Sequence, residues 1–156
     1  LNGVNVSSSV IRSFLKDGEV EMAEACLGYY YTIAGKVVHG YKQGRKMGFP
    51  TANLDMSCSH QLIPAPGVYA VKVHIVGDDK CRYGMMNIGK RPTFGGDNIT
   101  IEINIFDFAT EIYDKILHVS FVHRIREERK FNNALELADQ LKEDRRLIEE
   151  QFLKED

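Results

Sequence analysis

The chain has 156 residues, 44% hydrophobic and 27% charged, and its 20 Lys+Arg against 22 Asp+Glu give a formal net charge of −2. That is the size of one ordinary soluble domain, or one domain with an appendage, and the charge argues against a nucleic-acid backbone or an anionic membrane as main partner. No apolar run nears the roughly 20 residues that span a bilayer, residues 1–12 lack a signal-peptide pattern, and three scattered cysteines (Cys26, Cys58, Cys81) suggest neither a disulfide framework nor a zinc site, so a reduced, cytoplasmic setting is expected.

The first 28 residues predict two short helices. Ser7, Ser8 and Ser9 offer N-cap hydroxyls before Val10, Ile11, Phe14 and Leu15, and Gly18 marks the stop. Val20 to Leu27 forms the second helix, ended by Gly28. From Tyr29 the pattern changes to strands. The first runs from Tyr29 to Val38 with Gly35 as an interruption. Val68 to Val76 alternates, with Tyr69, Val71, Val73 and Ile75 on one face. Gly77 to Lys80 is a hairpin turn, and Cys81 to Ile88 returns. Ile99, Ile101, Ile103 and Ile105 mark a further strand, and Ile116 to Ile125 another. Short strands with Gly/Pro turns and no helices between them predict a closed antiparallel barrel. The last segment is an amphipathic helix: Asn133 and Glu136 suit a capping box, and Ala134, Leu137, Ala138, Leu141, Ile148 and Phe152 recur at helical spacing.

Three places look unlike plain scaffold. In Gly40 to Asn53, three glycines (Gly40, Gly44, Gly48) surround Arg45 and Lys46. Glycine lets a backbone approach a ligand, and the cations could meet phosphate; a solvated glycine hairpin fits the same residues. Thr51 and Asn53, if extended, point their oxygens to one side, where they could hold Mg²⁺ or simply cap a turn. Second, Glu102 sits among the isoleucines of its strand, sharing a face with Thr100 and Asn104. It is either a general base of raised pKa or a solvent-facing carboxylate. Third, Arg124 to Phe131 is either a charged lead-in to the last helix or a lid of cations and an aromatic over a planar ligand. Cys58 and His60 could pair on a metal, but a loop with a stray thiol is the simpler account.

These places, in this order, resemble riboflavin kinase. The matching residues are Gly35 to Gly40, Gly44-Arg45, Gly48-Phe-Pro-Thr-Ala-Asn53, Pro66-Gly67-Val68-Tyr69, Asn87-Ile-Gly-Lys-Arg-Pro-Thr-Phe94, Ile101-Glu102 and Arg124 to Phe131. They cover about four-fifths of the chain. Val6 to Arg12, with Gly18, Val20, Ala23 and Leu27-Gly28, is similar to the tail of the adenylyltransferase module of bacterial bifunctional riboflavin kinase/FMN adenylyltransferases (FAD synthetases). That module's His-x-Gly-His signature does not occur here. The resemblance implies residues 1–28 as an adenylyltransferase remnant and linker, incapable of making FAD alone, and residues 29–156 as the kinase domain. It implies a six-stranded antiparallel Greek-key barrel with a C-terminal helix. It also implies transfer of the ATP γ-phosphoryl group to riboflavin, giving FMN and ADP, with Mg²⁺ or another divalent cation. Carried over by position, Glu102 is the catalytic base and Thr51 and Asn53 are the metal ligands. Gly40, Gly44, Arg45, Lys46 and Thr51 bind ATP, and Arg126, Arg129 and Phe131 bind the flavin. The alternative is a barrel that binds flavin or nucleotide without turnover.

Overall fold

A computed structural model describes residues 8–38, 51–57, 59–108 and 112–155. The two N-terminal helices are α1 (Ser8–Lys16) and α2 (Val20–Leu27). Gly18, at φ 79°, makes the turn between them. Gly28, at φ 85°, ends α2 in the left-handed conformation with its N–H on the Glu24 carbonyl, as a C-terminal glycine does.

Six strands follow: β1 (Thr32–Val38), β2 (Ala52–Asp55), β3 (Gly67–Ile75), β4 (Cys81–Thr93), β5 (Gly96–Ile105) and β6 (Ile116–Arg126). They close into a barrel in the order β1-β2-β5-β4-β3-β6, and all six pairings are antiparallel. β3, β4 and β5 form a meander and β6 returns beside β3, which is the Greek key. Alternation fills the interior. Tyr69, Val71, Val73 and Ile75 meet Ile101, Ile103 and Ile105, together with Leu117, Val119 and Phe121. Tyr69 stands edge-on to Phe121 and donates its hydroxyl to the Ala65 carbonyl. Burial pushes its phenol up to about 12.

The strands depart from the sequence expectation at several points. β1 begins at Thr32, and Gly35 does not interrupt it: Gly35 pairs with Leu117. A Cβ there would lie 2.9 Å from the Met56 sulfur, which fills the space. β4 runs past Ile88 to Thr93, since Gly89 to Thr93 pair in unbroken register with Gly96 to Thr100. Ile99 lies on that extension and is exposed, so the isoleucine face is three residues long inside the barrel. β6 slips register twice against β3, between Val68 and Tyr69 and between Ala70 and Val71. Such bulges bend a strand and re-aim its side chains, and here they set the direction of Arg124 to Arg126.

The last helix, α3 (Ala134–Glu155), opens with an arrangement close to the expected capping box, its return bond falling one residue before the N-cap. Asn133 Oδ1 accepts from the Glu136 N–H at 2.9 Å, and Glu136 returns to the Asn132 N–H at 3.2 Å. Leu141, Ile148 and Phe152 pack on the outside of the barrel against Val68, Ala70, Met85 and Val122. Phe152 stacks on Tyr83 at 4.2 Å. At the other end of the chain, Leu15, Val20 and Ala23 share one core with the barrel interior. The Ala65 N–H bonds the Leu15 carbonyl, and Glu21 accepts from the Arg124 N–H at 2.9 Å.

Candidate active site on the outer face of the barrel

Strand register assembles the first group. Glu102 on β5 lies directly opposite Asn53 on β2 and Asn87 on β4. The row continues from Asn87 to Val68 on β3 and from Val68 to Arg126 on β6. Directly opposite side chains stand about 5 Å apart at Cβ. Ile101 and Ile103 point into the barrel, so the row lies on its outer surface. The isoleucines that flank Glu102 in sequence are therefore on the far side of the sheet. What stands beside this partly buried carboxylate is a carboxamide on each flank.

Asn87 carries a second signal. Its Oδ1 is buried and has no hydrogen-bond partner among the described residues. A buried acceptor left so is costly, and at a site it suits a donor that arrives with a ligand. Thr51 is partly buried and directly precedes β2. The residues present thus offer neutral oxygens to a divalent cation from Thr51 and Asn53, beside a carboxylate, a donor set of the kind Mg²⁺ takes when phosphates and water complete its shell. Among the described residues no group of three or more His, Cys, Asp or Glu is arranged to hold a metal.

Two residues beyond Asn87 on β4, Gly89 faces Thr100. A Cβ at Gly89 would lie 2.6 Å from Glu128 Oε2 and 2.9 Å from Thr100 Oγ1. The missing side chain is what lets Glu128, from the segment after β6, lie against β4. Glu128 Oε1 also accepts from the Lys90 N–H at 3.4 Å. The segment 127–133 is thereby tied down next to the Glu102 row.

That segment carries the second group. Arg126 places Nε 3.0 and 3.1 Å from the two Asp144 oxygens and Nη2 2.9 Å from Oδ2. Its Nη1 donates to the Glu127 carbonyl. Asp144 is fully buried and also accepts from Gln140 Nε2 at 2.9 Å. Gln140 Oε1 in turn accepts from Arg129 Nη1 at 2.9 Å. Both guanidinium carbons lie near the Phe131 ring, at 5.6 Å for Arg126 and 5.3 Å for Arg129. Three residues expected to meet the flavin are therefore one cluster, braced from α3.

Gly40, Gly44, Arg45 and Lys46, the expected phosphate loop, lie outside the described residues, as does Cys58. Asp144 and Gln140 belong to no motif. The sequence signal for Asp144 is its spacing: it falls on the apolar stripe between Leu141 and Ile148, and an acid on a buried stripe calls for a cationic partner. Among the described residues no helix is long and apolar enough to cross a membrane.

Comparison with known proteins matches most of the chain. A family model described as "Flavokinase: Riboflavin kinase" matches residues 27–152. The bifunctional riboflavin kinase/FMN adenylyltransferase of Bacillus subtilis is 44% identical over 143 residues, covering 90% of this chain and 44% of that protein. The protein of the same description from Haemophilus influenzae is 41% identical over 144 residues, covering 92% and 46%. The chain thus spans about half the length of these curated relatives. A solved structure from Streptococcus pneumoniae, described as a macrolide-efflux protein, superposes with a TM-score of 0.87 at 39% identity, covering 93% of this chain and 47% of that one. Riboflavin kinase from Trypanosoma brucei shares the fold at a TM-score of 0.52 and 21% identity, covering 79% and 77%.

Proposed function

The chain belongs to the riboflavin kinase family, and from that premise we propose that it transfers the γ-phosphoryl group of ATP to the 5′-hydroxyl of riboflavin, giving FMN and ADP. The observation that carries this reading is the register row that sets Glu102 between Asn53 and Asn87 and ends at Arg126.

Phosphoryl transfer asks a protein mainly for positioning and charge neutralisation. In this reading Glu102 accepts the proton of the flavin 5′-hydroxyl as that oxygen bonds to the γ-phosphorus. The bond from the γ-phosphorus to its bridging oxygen breaks, and ADP leaves with the electron pair. Thr51 and Asn53 would hold the divalent cation, which supplies charge neutralisation of the phosphates when bound. Gly40, Gly44 and Arg45 or Lys46 would cover the ATP phosphates, and Arg126, Arg129 and Phe131 would meet the isoalloxazine ring. Stacking of guanidinium and phenyl groups on a planar ring suits that task.

The parent protein of this reading is a cytoplasmic bifunctional enzyme, with residues 1–28 as the tail of an adenylyltransferase module and 29–156 as the kinase domain. Support for it is the description of the curated relatives and the share of their length matched here.

The test is direct. The purified chain is incubated with riboflavin, ATP and Mg²⁺, and FMN is followed by chromatography. FMN is expected, and Glu102→Gln should cut turnover by at least about 100-fold while riboflavin and ATP still bind. Near-normal turnover of that variant removes Glu102 from the mechanism. Binding of both ligands without any FMN from the wild type would instead favour a barrel that holds flavin or nucleotide without transfer.

A further inference from the structure

Asp144 has no place in the chemistry above, yet it is the acid that Arg126 pairs with directly and that Arg129 reaches through Gln140. It is fully buried on α3, in the stripe that packs on the barrel, where an unpaired charge is not tolerated. Its two oxygens take the Nε–Nη2 edge of Arg126 side-on, the bidentate fork that fixes a guanidinium in plane as well as in place. That leaves the Nη1 edge turned towards the segment, where it bonds the Glu127 carbonyl. Through Gln140 the same carboxylate also sets Arg129: Gln140 spends its amide N–H on Asp144, so its carbonyl oxygen is turned outward to receive Arg129. The consequence is geometric, since Phe131 lies close to both guanidinium groups.

We propose that Asp144 is a positioning residue for flavin recognition: acting directly on Arg126 and through Gln140 on Arg129, it holds the segment after β6 in the shape that receives a planar, conjugated ring. The proposal rests on the kinase reading and deepens it, because it assigns riboflavin selectivity to a charge that does not touch the substrate. A plain structural tie between α3 and the barrel makes a different prediction. Such a tie affects thermal stability and leaves the Michaelis constants of a folded enzyme alone.

The experiment uses the full chain and two variants. Asp144→Asn keeps the shape of the side chain and removes its charge. Gln140→Leu leaves the Arg126–Asp144 pair intact and cuts only the link to Arg129. KM for riboflavin and for ATP, kcat and Tm are measured for each, well below Tm. Asp144→Asn should raise the riboflavin KM by about 10-fold or more, with the ATP KM changed less than about 2-fold. Gln140→Leu should raise the riboflavin KM by about 3-fold, the loss of one modest hydrogen bond. A lower Tm with an unchanged riboflavin KM in both variants overturns the proposal, and so does an equal rise in both KM values. If Asp144→Asn does not fold, Gln140→Leu decides: a raised riboflavin KM alone supports the proposal and an unchanged one overturns it. Wild-type FMN formation combined with unaltered variants defeats this inference only, whereas no FMN from the wild type defeats the kinase reading and this inference with it.

Discussion

A general base has to wait beside its substrate in the ionised form and in one orientation. Glu102, the base proposed above, would meet the second requirement through the sheet itself, since β2 and β4 place Asn53 and Asn87 directly across from it. Amides bear no charge. They can orient a carboxylate by donating hydrogen bonds to it. The two asparagines differ in what they can do further. Asn87 keeps a buried carbonyl oxygen without a partner among the described residues, while Asn53 lies two residues after Thr51 near the start of β2, and these two are the residues proposed to hold the cation. Asn53→Ala should therefore raise the Mg²⁺ concentration for half-maximal rate by at least about 10-fold, the range seen when the groups around a metal are altered. The rate is titrated with Mg²⁺ at saturating riboflavin and ATP. An unchanged titration would count against the ligand role and leave Asn53 as an orienting neighbour of Glu102.

At the scale of elements, the barrel depends on close strand approach at a few places. Gly84 on β4 pairs with Ile105 on β5. A Cβ there would sit 2.6 Å from the Asn104 carbonyl oxygen and 3.4 Å from the Ile105 Cα. Both are backbone atoms, so relief requires the β4–β5 ladder to open. Gly84→Ala should cost about 1–3 kcal/mol, the usual price of overpacking, measured by urea denaturation; a loss under about 0.5 kcal/mol would show that the ladder yields easily. This dependence is invisible in the sequence, because an inward or outward glycine looks the same until its partner strand is known. What the sequence does show is periodicity. Tyr69, Val71, Val73 and Ile75 are legible as one face because period two has a single geometric cause. The end of β4 is not, since Pro92 and the glycines read as a turn while hairpin pairing with β5 carries the strand to Thr93. The bulges of β6 are equally hidden, yet they aim Arg124 and Arg126. Local motifs name Glu102, Arg126 and Phe131; the register joins the first two, and a cation–ring contact brings in the third. Asp144 needs a third level, the docking of α3.

Over the whole molecule, motif and packing divide the chain differently. The motifs place a boundary at residue 28, with an adenylyltransferase tail before it. The core does not stop there: Leu15, at 2% exposure, and Val20 and Ala23, at 0%, lie in one cluster with Tyr69, Phe121 and Ile88 of the barrel. Arg124 ties the same junction together. Its Nη2 donates to the Pro66 carbonyl at 2.7 Å, its Nη1 reaches the Asp17 carbonyl at 3.4 Å, and its N–H meets Glu21. A segment that its motifs assign to one module thus shares the core of the barrel that follows it. The energetic weight of that arrangement can be estimated. Full burial of Leu15 and Val20 contributes about 1.5–3 kcal/mol each, so removing α1 and α2 should cost roughly 3–6 kcal/mol before the newly exposed barrel surface is considered. Area-based figures of this kind are upper values, but small domains hold only about 5–15 kcal/mol in all. A chain starting at Tyr29 should therefore unfold at markedly lower urea than the chain of 156 residues, with a smaller slope as well, because less surface is exposed on unfolding. If the two proteins instead unfold within about 1 kcal/mol of each other, the helices are a passive attachment and residue 28 is a boundary in energy as well as in motif.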